Sequence, residues 1–131
     1  MDEPVIMKHS ISSPDAPAAI GPYSQGIRIR DFVYLAGQIP VDPATGELAG
    51  PGIREQTARC LANIKALLMA EGLTLDDVIK TTVFMVDLND FAAMNEVYAA
   101  AFPSPYPARS TVQVAALPKG ARVEIEVVAH R

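Results

Sequence analysis

The chain contains one cysteine, Cys60, two histidines and no tryptophan. A lone cysteine forms no intrachain disulfide, so folding does not require an oxidising compartment. His9 and His130 stand at opposite ends and no cysteine pair exists, which removes the ligand spacings of a zinc site, and no metal is expected. No apolar run approaches the roughly 20 residues that cross a bilayer. The segment MDEPVIMKHS opens with two acids and lacks the apolar stretch and cleavage site of a signal peptide, so a cytoplasmic location without a membrane partner is expected. G-x-S-x-G, P-loop and G-x-G-x-x-G motifs are missing, which leaves acyl-transfer, nucleotide and dinucleotide chemistry without a foothold. A basic patch is missing too. The eleven Lys and Arg residues scatter from Lys8 to Arg131 and the net charge is −4, a balance that repels phosphate backbones and argues against a nucleic-acid partner.

What is present is an ordinary globular composition. Half of the 131 residues are hydrophobic and a fifth are charged, enough to bury a core without staples, so residues 1–131 are read as one domain. In GIRIRDFVYLAGQ, Ile27 and Ile29 alternate with Arg28 and Arg30 before an apolar run, which predicts a hairpin folded near Asp31. Turn formers then fill residues 42–52. Ile53, Leu61, Ile64 and Leu68 recur at helical spacing and Gly72 stands where a helix-ending glycine would, predicting a helix from Ile53 to Leu68. Thr74 can cap a short turn before VIKTTVFMV, a β-branched run read as a strand. Asp90 is placed to cap a second helix, with Phe91, Met94, Tyr98 and Phe102 on one face and Pro103 as its stop. Residues 110–115 and 122–129 read as two final strands around the turn LPKG. The order predicts an α+β domain with two helices on one face of a mixed sheet. Both alternating sets of VIKTTVFMV are largely apolar, so that strand is expected to be buried on both faces, and the uncovered sheet face to pack against copies of itself.

Three features carry possible chemistry. PSPYPARSTV places three prolines in five positions ahead of Arg109. The stiffened backbone lowers the entropy lost on fixing a guanidinium, whose fork suits a carboxylate or phosphate; the plain alternative is a surface salt bridge. In VEIEVVAH, Glu124 and Glu126 share one strand face opposite Val123, Ile125 and Val127. Either both carboxylates face solvent, or one lies beside a cation or in a pocket where it moves protons. Whether Arg109 and Glu124 share a sheet face depends on strand register, because a one-residue slip reverses the answer. In AAIGPYSQG, Gly21, Pro22 and Gly26 fix a loop around Tyr23, either a rim residue or a ligand-facing hydroxyl. Cys60, inside the predicted helix beside Leu61, reads as an inert core residue.

IGPYSQG, AGQIPVDPATGEL, DDVIKTTVFMVDLNDFAAMNEVYAAAF and PARSTVQVAALPKGARVEIE, in that order from about residue 8 to the end, resemble the Rid family, also called the YjgF or L-PSP family. The arginine kept in PARST points to its branch of imine deaminases, RidA. The resemblance implies a chorismate-mutase-like α+β fold. It implies a homotrimer with sheets lining its interior and active sites in the clefts between subunits. The activity it implies is cofactor-free hydrolysis of 2-imino acids to 2-keto acids and ammonia, the imines arising from enamines released by pyridoxal-phosphate enzymes. Carried onto this chain, Arg109 and the backbone N–H of Thr111 would hold the substrate carboxylate. Glu124 would position or deprotonate water, Tyr23 would line the pocket, and Gly37, Phe91 and Asn95 match further pocket positions. The chain departs from many relatives at Ala36, where they carry serine, and at Thr111, where they carry cysteine. An endoribonuclease that inhibits translation, and a non-catalytic metabolite-binding or chaperone-like module, are the competing functions.

Overall fold

The computed structural model describes residues 7–131. Strands β1 (His9–Ile11), β2 (Gly26–Ile29) and β3 (Phe32–Leu35) precede helix α1 (Ile53–Met69). Strand β4 (Val78–Met85), helix α2 (Phe91–Ala101), and strands β5 (Ala108–Gln113) and β6 (Val123–His130) complete the chain. The strands form one six-stranded sheet ordered β1-β2-β3-β6-β4-β5. Among the described strands only β4 and β5 run parallel, joined by α2 as the crossover, and both helices lie on one face, which is the expected α+β layering. Among the described residues no helix is long and apolar enough to cross a membrane.

α1 buries Ile53, Leu61, Ile64, Leu67 and Leu68 against the sheet, each such side chain contributing about 1.5–3 kcal/mol. It ends where Gly72 takes φ 71°, a left-handed conformation, while the Leu73 N–H reaches the Leu68 carbonyl and the Gly72 N–H that of Met69. Two buried amides tie the preceding loop to this helix. Asn63 donates to the Ile39 and Val41 carbonyls at 3.2 and 2.9 Å, and Gln56 donates to the Gly50 carbonyl at 2.8 Å. The loop after β3 is thereby held in place. Cys60 is fully buried and burial pushes its thiol pKa up, as expected for an inert core residue.

Three expectations need correction. β5 and β6 are not a hairpin, because β4 lies between them and pairs with both. β5 begins at Ala108, directly after the last proline, rather than at residue 110. Within the single chain, Val78, Thr81, Val83 and Met85 of β4 are buried under the helices, whereas Lys80, Thr82 and Phe84 are half-exposed on the face expected to pack against copies. A register shift at Ile79 brings Val78 into phase with the buried set and leaves Ile79 exposed. Asp90 makes no capping hydrogen bond; a short 3₁₀ turn, Leu88–Asp90, feeds into α2 and is capped by Asp87, while Asp90 lies 3.6 Å from the Arg122 guanidinium. In α2, Met94, Tyr98 and Phe102 are buried but Phe91, in the first turn, stays 38 % exposed. β1 had no sequence signal, since three residues are too few to show alternation.

Candidate active site

Arg109 sits at the start of edge strand β5, directly across from Thr81 of β4. Thr81 is buried beneath the helices, so Arg109 projects to the helix side and meets α2. There its Nη1 donates to Asn95 Oδ1 at 2.7 Å. The guanidinium carbon lies 5.4 Å from the Phe91 ring centroid and 4.8 Å from that of Tyr98. The proline run delivers the arginine, and two rings and an amide hold it. Among the described residues Asn95 is the only hydrogen-bond partner of this guanidinium, so most of its five N–H donors remain for a ligand. Thr111, two residues on, shares this side; its Oγ1 is buried and lacks a hydrogen-bond partner.

Glu124 pairs with Phe84 of β4, three residues from the position that faces Arg109, and therefore projects from the opposite side of the sheet. The register question is answered: Arg109 and Glu124 point away from each other in one chain. The Glu124 carboxyl packs against the backbone of Gly37, where a built-in Cβ would come within 2.9 Å of its Cδ and Oε2. Only glycine admits the carboxyl at that spot. Burial, and then the nearby charge of Glu126, raise the Glu124 pKa above the ordinary carboxylate value. Gly37 is held in turn by its neighbour Gln38, whose N–H donates to the Ile125 carbonyl at 2.8 Å, and Ile125 N–H returns a bond at 3.1 Å.

Gly37 also lines a groove of about 300 Å³ together with Tyr23, Gln38, Ile39, Val41 and Lys119. Tyr23 is 54 % exposed and its hydroxyl accepts from the Ile20 N–H at 3.1 Å. Gln25, a residue that sequence reasoning passed over, anchors this loop: its buried amide donates to the Ser13, Ala16 and Pro17 carbonyls and accepts from the Ser13 N–H. Its backbone carbonyl accepts from Ala36 N–H at 2.9 Å, tying the loop to the Gly37 segment. The candidate residues therefore fall into two groups. Arg109, Thr111, Asn95 and Phe91 gather on the helix side of the sheet edge, while Glu124 and Gly37 lie on the other side, with Tyr23 along the adjoining groove.

Comparison with known proteins bears on what such halves do. Residues 13–131 match the family described as endoribonuclease L-PSP. The chain belongs to this family. A RutC family protein of Pyrococcus horikoshii is 52 % identical over 125 residues, covering 95 % of this chain and 99 % of that one. The human 2-iminobutanoate/2-iminopropanoate deaminase is 46 % identical over 124 residues, covering 95 % and 90 %. Among solved structures, RidA from an Antarctic Psychrobacter superposes with a TM-score of 0.90 at 47 % identity, covering 94 % of this chain and 99 % of that one. Escherichia coli TdcF, solved with bound serine, gives 0.89 at 47 % identity, covering 94 % and 98 %. This L-PSP chain thus shares its fold with Rid proteins, as its sequence motifs implied.

Proposed function

We propose that this L-PSP protein hydrolyses small 2-imino acids to 2-keto acids and ammonia, at a site completed where the Arg109 side of one copy meets the Glu124 side of another. The observation that carries the reading is the pair of prepared halves: a guanidinium held by Asn95 and two rings, and a carboxyl of raised proton affinity against Gly37. The deaminase names of relatives at about this similarity support the reaction, and the serine-bound relative supports a small carboxylate ligand.

The chemistry asks for little. Arg109 binds the substrate carboxylate through parallel N–H donors and fixes the C=N bond over the cleft. Glu124, as carboxylate, takes a proton from water as its oxygen adds to the imine carbon and passes that proton to the imine nitrogen. The resulting carbinolamine collapses when Glu124 takes its hydroxyl proton and delivers it to the nitrogen, which departs as ammonia and leaves the carboxylate restored. A carboxyl with a raised pKa suits both proton steps, and the Tyr23 hydroxyl contributes a neutral polar wall. No cofactor takes part in this scheme, and Thr111 supplies its backbone N–H to the carboxylate.

The test couples threonine dehydratase, which supplies 2-iminobutanoate, to semicarbazide, which traps it. Wild-type protein is expected to suppress the adduct and release ammonia. An undiminished adduct would refute the reading for this substrate. Ligand binding without ammonia release would favour a non-catalytic metabolite-binding module, and tight, steeply salt-dependent RNA binding would favour the endoribonuclease reading.

A further inference from the structure

Tyr98 belongs by spacing to the buried stripe of α2, and packing explains its ring. Its hydroxyl is another matter. The ring is 4 % exposed, lies against Phe102 at 4.7 Å, and forms the surface over which the Arg109 guanidinium sits at 4.8 Å. The phenol oxygen is 2.7 Å from Thr81 Oγ1, and Thr81 is fully buried. Thr81 is also the residue directly across from Arg109 in the parallel β4–β5 ladder. One strand position therefore faces the arginine's backbone and at the same time pins the ring beneath its side chain.

We propose that Thr81 and Tyr98 act as a positioning pair for Arg109, their hydrogen bond fixing the plane of the ring on which the guanidinium rests, so that its fork stays aimed at the substrate carboxylate. This rests on the reading of Arg109 as a carboxylate clamp. An arginine side chain has many rotamers, and ligand affinity falls by whatever ordering the ligand must impose. The Asn95 amide fixes one Nη1 corner of the guanidinium. A ring held in one orientation fixes the plane, which a single hydrogen bond does not. Burial pushes the Tyr98 pKa up against the opposing effects of its Thr81 bond and the Arg109 charge, so the phenol remains a neutral hydrogen-bonding group at neutral pH. The pair thus works by geometry and not by countercharge.

Three substitutions separate this role from packing. Tyr98→Phe and Thr81→Val each delete one hydroxyl and keep the shape of the core, and Thr81→Ser keeps the hydroxyl. Each is made alone and in an Arg109→Lys background, which retains a cation but has no planar fork to stack. Dissociation constants for 2-oxobutanoate are measured alongside KM and kcat for 2-iminobutanoate. Tyr98→Phe and Thr81→Val are expected to weaken 2-oxobutanoate binding and raise KM about fivefold with kcat within about twofold, the pattern of lost uniform binding. Thr81→Ser is expected to retain wild-type values, and in the Arg109→Lys background the hydroxyl deletions should add nothing further. Equal losses in both backgrounds, or a lowered thermal midpoint with unchanged binding, would overturn the pair's role and leave it a packing contact. If Arg109→Ala binds 2-oxobutanoate as wild type does, or wild type neither binds it nor turns over the imine, the clamp reading itself fails and takes this proposal with it. Should Thr81→Val not fold, Tyr98→Phe alone decides the matter.

Discussion

Arg109 and Glu124 illustrate what single side chains contribute and how each contribution is measured. Removing a charge-assisted bidentate contact costs on the order of 3 kcal/mol, so Arg109→Ala should lower kcat/KM for 2-iminobutanoate about a hundredfold. A loss below about fivefold would place the clamp elsewhere. Glu124→Gln should leave 2-oxobutanoate binding intact while slowing turnover, and wild-type turnover would exclude proton transfer by this residue. The same substitution has a stability consequence. Because burial and Glu126 raise the folded-state pKa of Glu124, the folded chain holds a proton that the unfolded chain has released between the ordinary and the raised value. Stability therefore falls as pH rises through that window, and the deficit persists at neutral pH. Glu124→Gln should raise the thermal midpoint at pH 7 and have much less effect near pH 4, read at fixed protein concentration. Gly37→Ala tests the cradle: its Cβ would displace the carboxyl, so turnover should drop with little change in keto-acid binding. The residues themselves were visible in the sequence, because an arginine behind prolines and paired strand glutamates are unusual. The roles of Asn95 and Gly37 were reachable only through family resemblance, and Gln25 and the Tyr98 hydroxyl carried no local signal, since their partners lie 8 to 17 residues away.

At the scale of elements, both helices and the first hairpin were legible from periodicity, and β4 from its β-branched content. α1 is bounded as its glycine signal predicted, and Gly72→Ala should cost about 1 kcal/mol in urea denaturation, because φ 71° is strained for any residue with a Cβ. An unchanged midpoint would mean that the turn relaxes. Pairing was not legible. β5 and β6 are adjacent in sequence, and a short turn between two strands reads as a hairpin, yet β6 pairs with β3 and β4 and sends β5 to the far edge. Which strands pair is decided by how the whole sheet buries its apolar face, and no window of sequence contains that. The cost was local but consequential: the relative facing of Arg109 and Glu124 follows from two registers through β4, neither of which the sequence states.

For the molecule as a whole, the helix-free face of the sheet is the dominant feature. Ile27, Ile29, Phe32, Tyr34, Phe84, Val112 and Val128 all project from it, and Phe32, Tyr34 and Val112 are 39, 47 and 42 % exposed. Lys80, Glu124 and Glu126 stand among these side chains, but this much exposed apolar surface calls for a cover, and copies of the chain arranged as a homotrimer with their sheets inward would provide one. Phe84→Glu should give monomers by light scattering and abolish turnover together, whereas an active monomer would separate assembly from catalysis. Both consequences follow from the central claim that Arg109 and Glu124 work together only across two copies. The most direct test mixes two inactive variants, Arg109→Ala and Glu124→Gln, by co-refolding at equal amounts and measures imine hydrolysis. With sites shared around a closed three-fold ring, random mixing should restore about a quarter of wild-type activity, since some clefts then join two intact halves. If each site were built within one chain, mixed assemblies would stay as inactive as the separate variants, and the account would be contradicted.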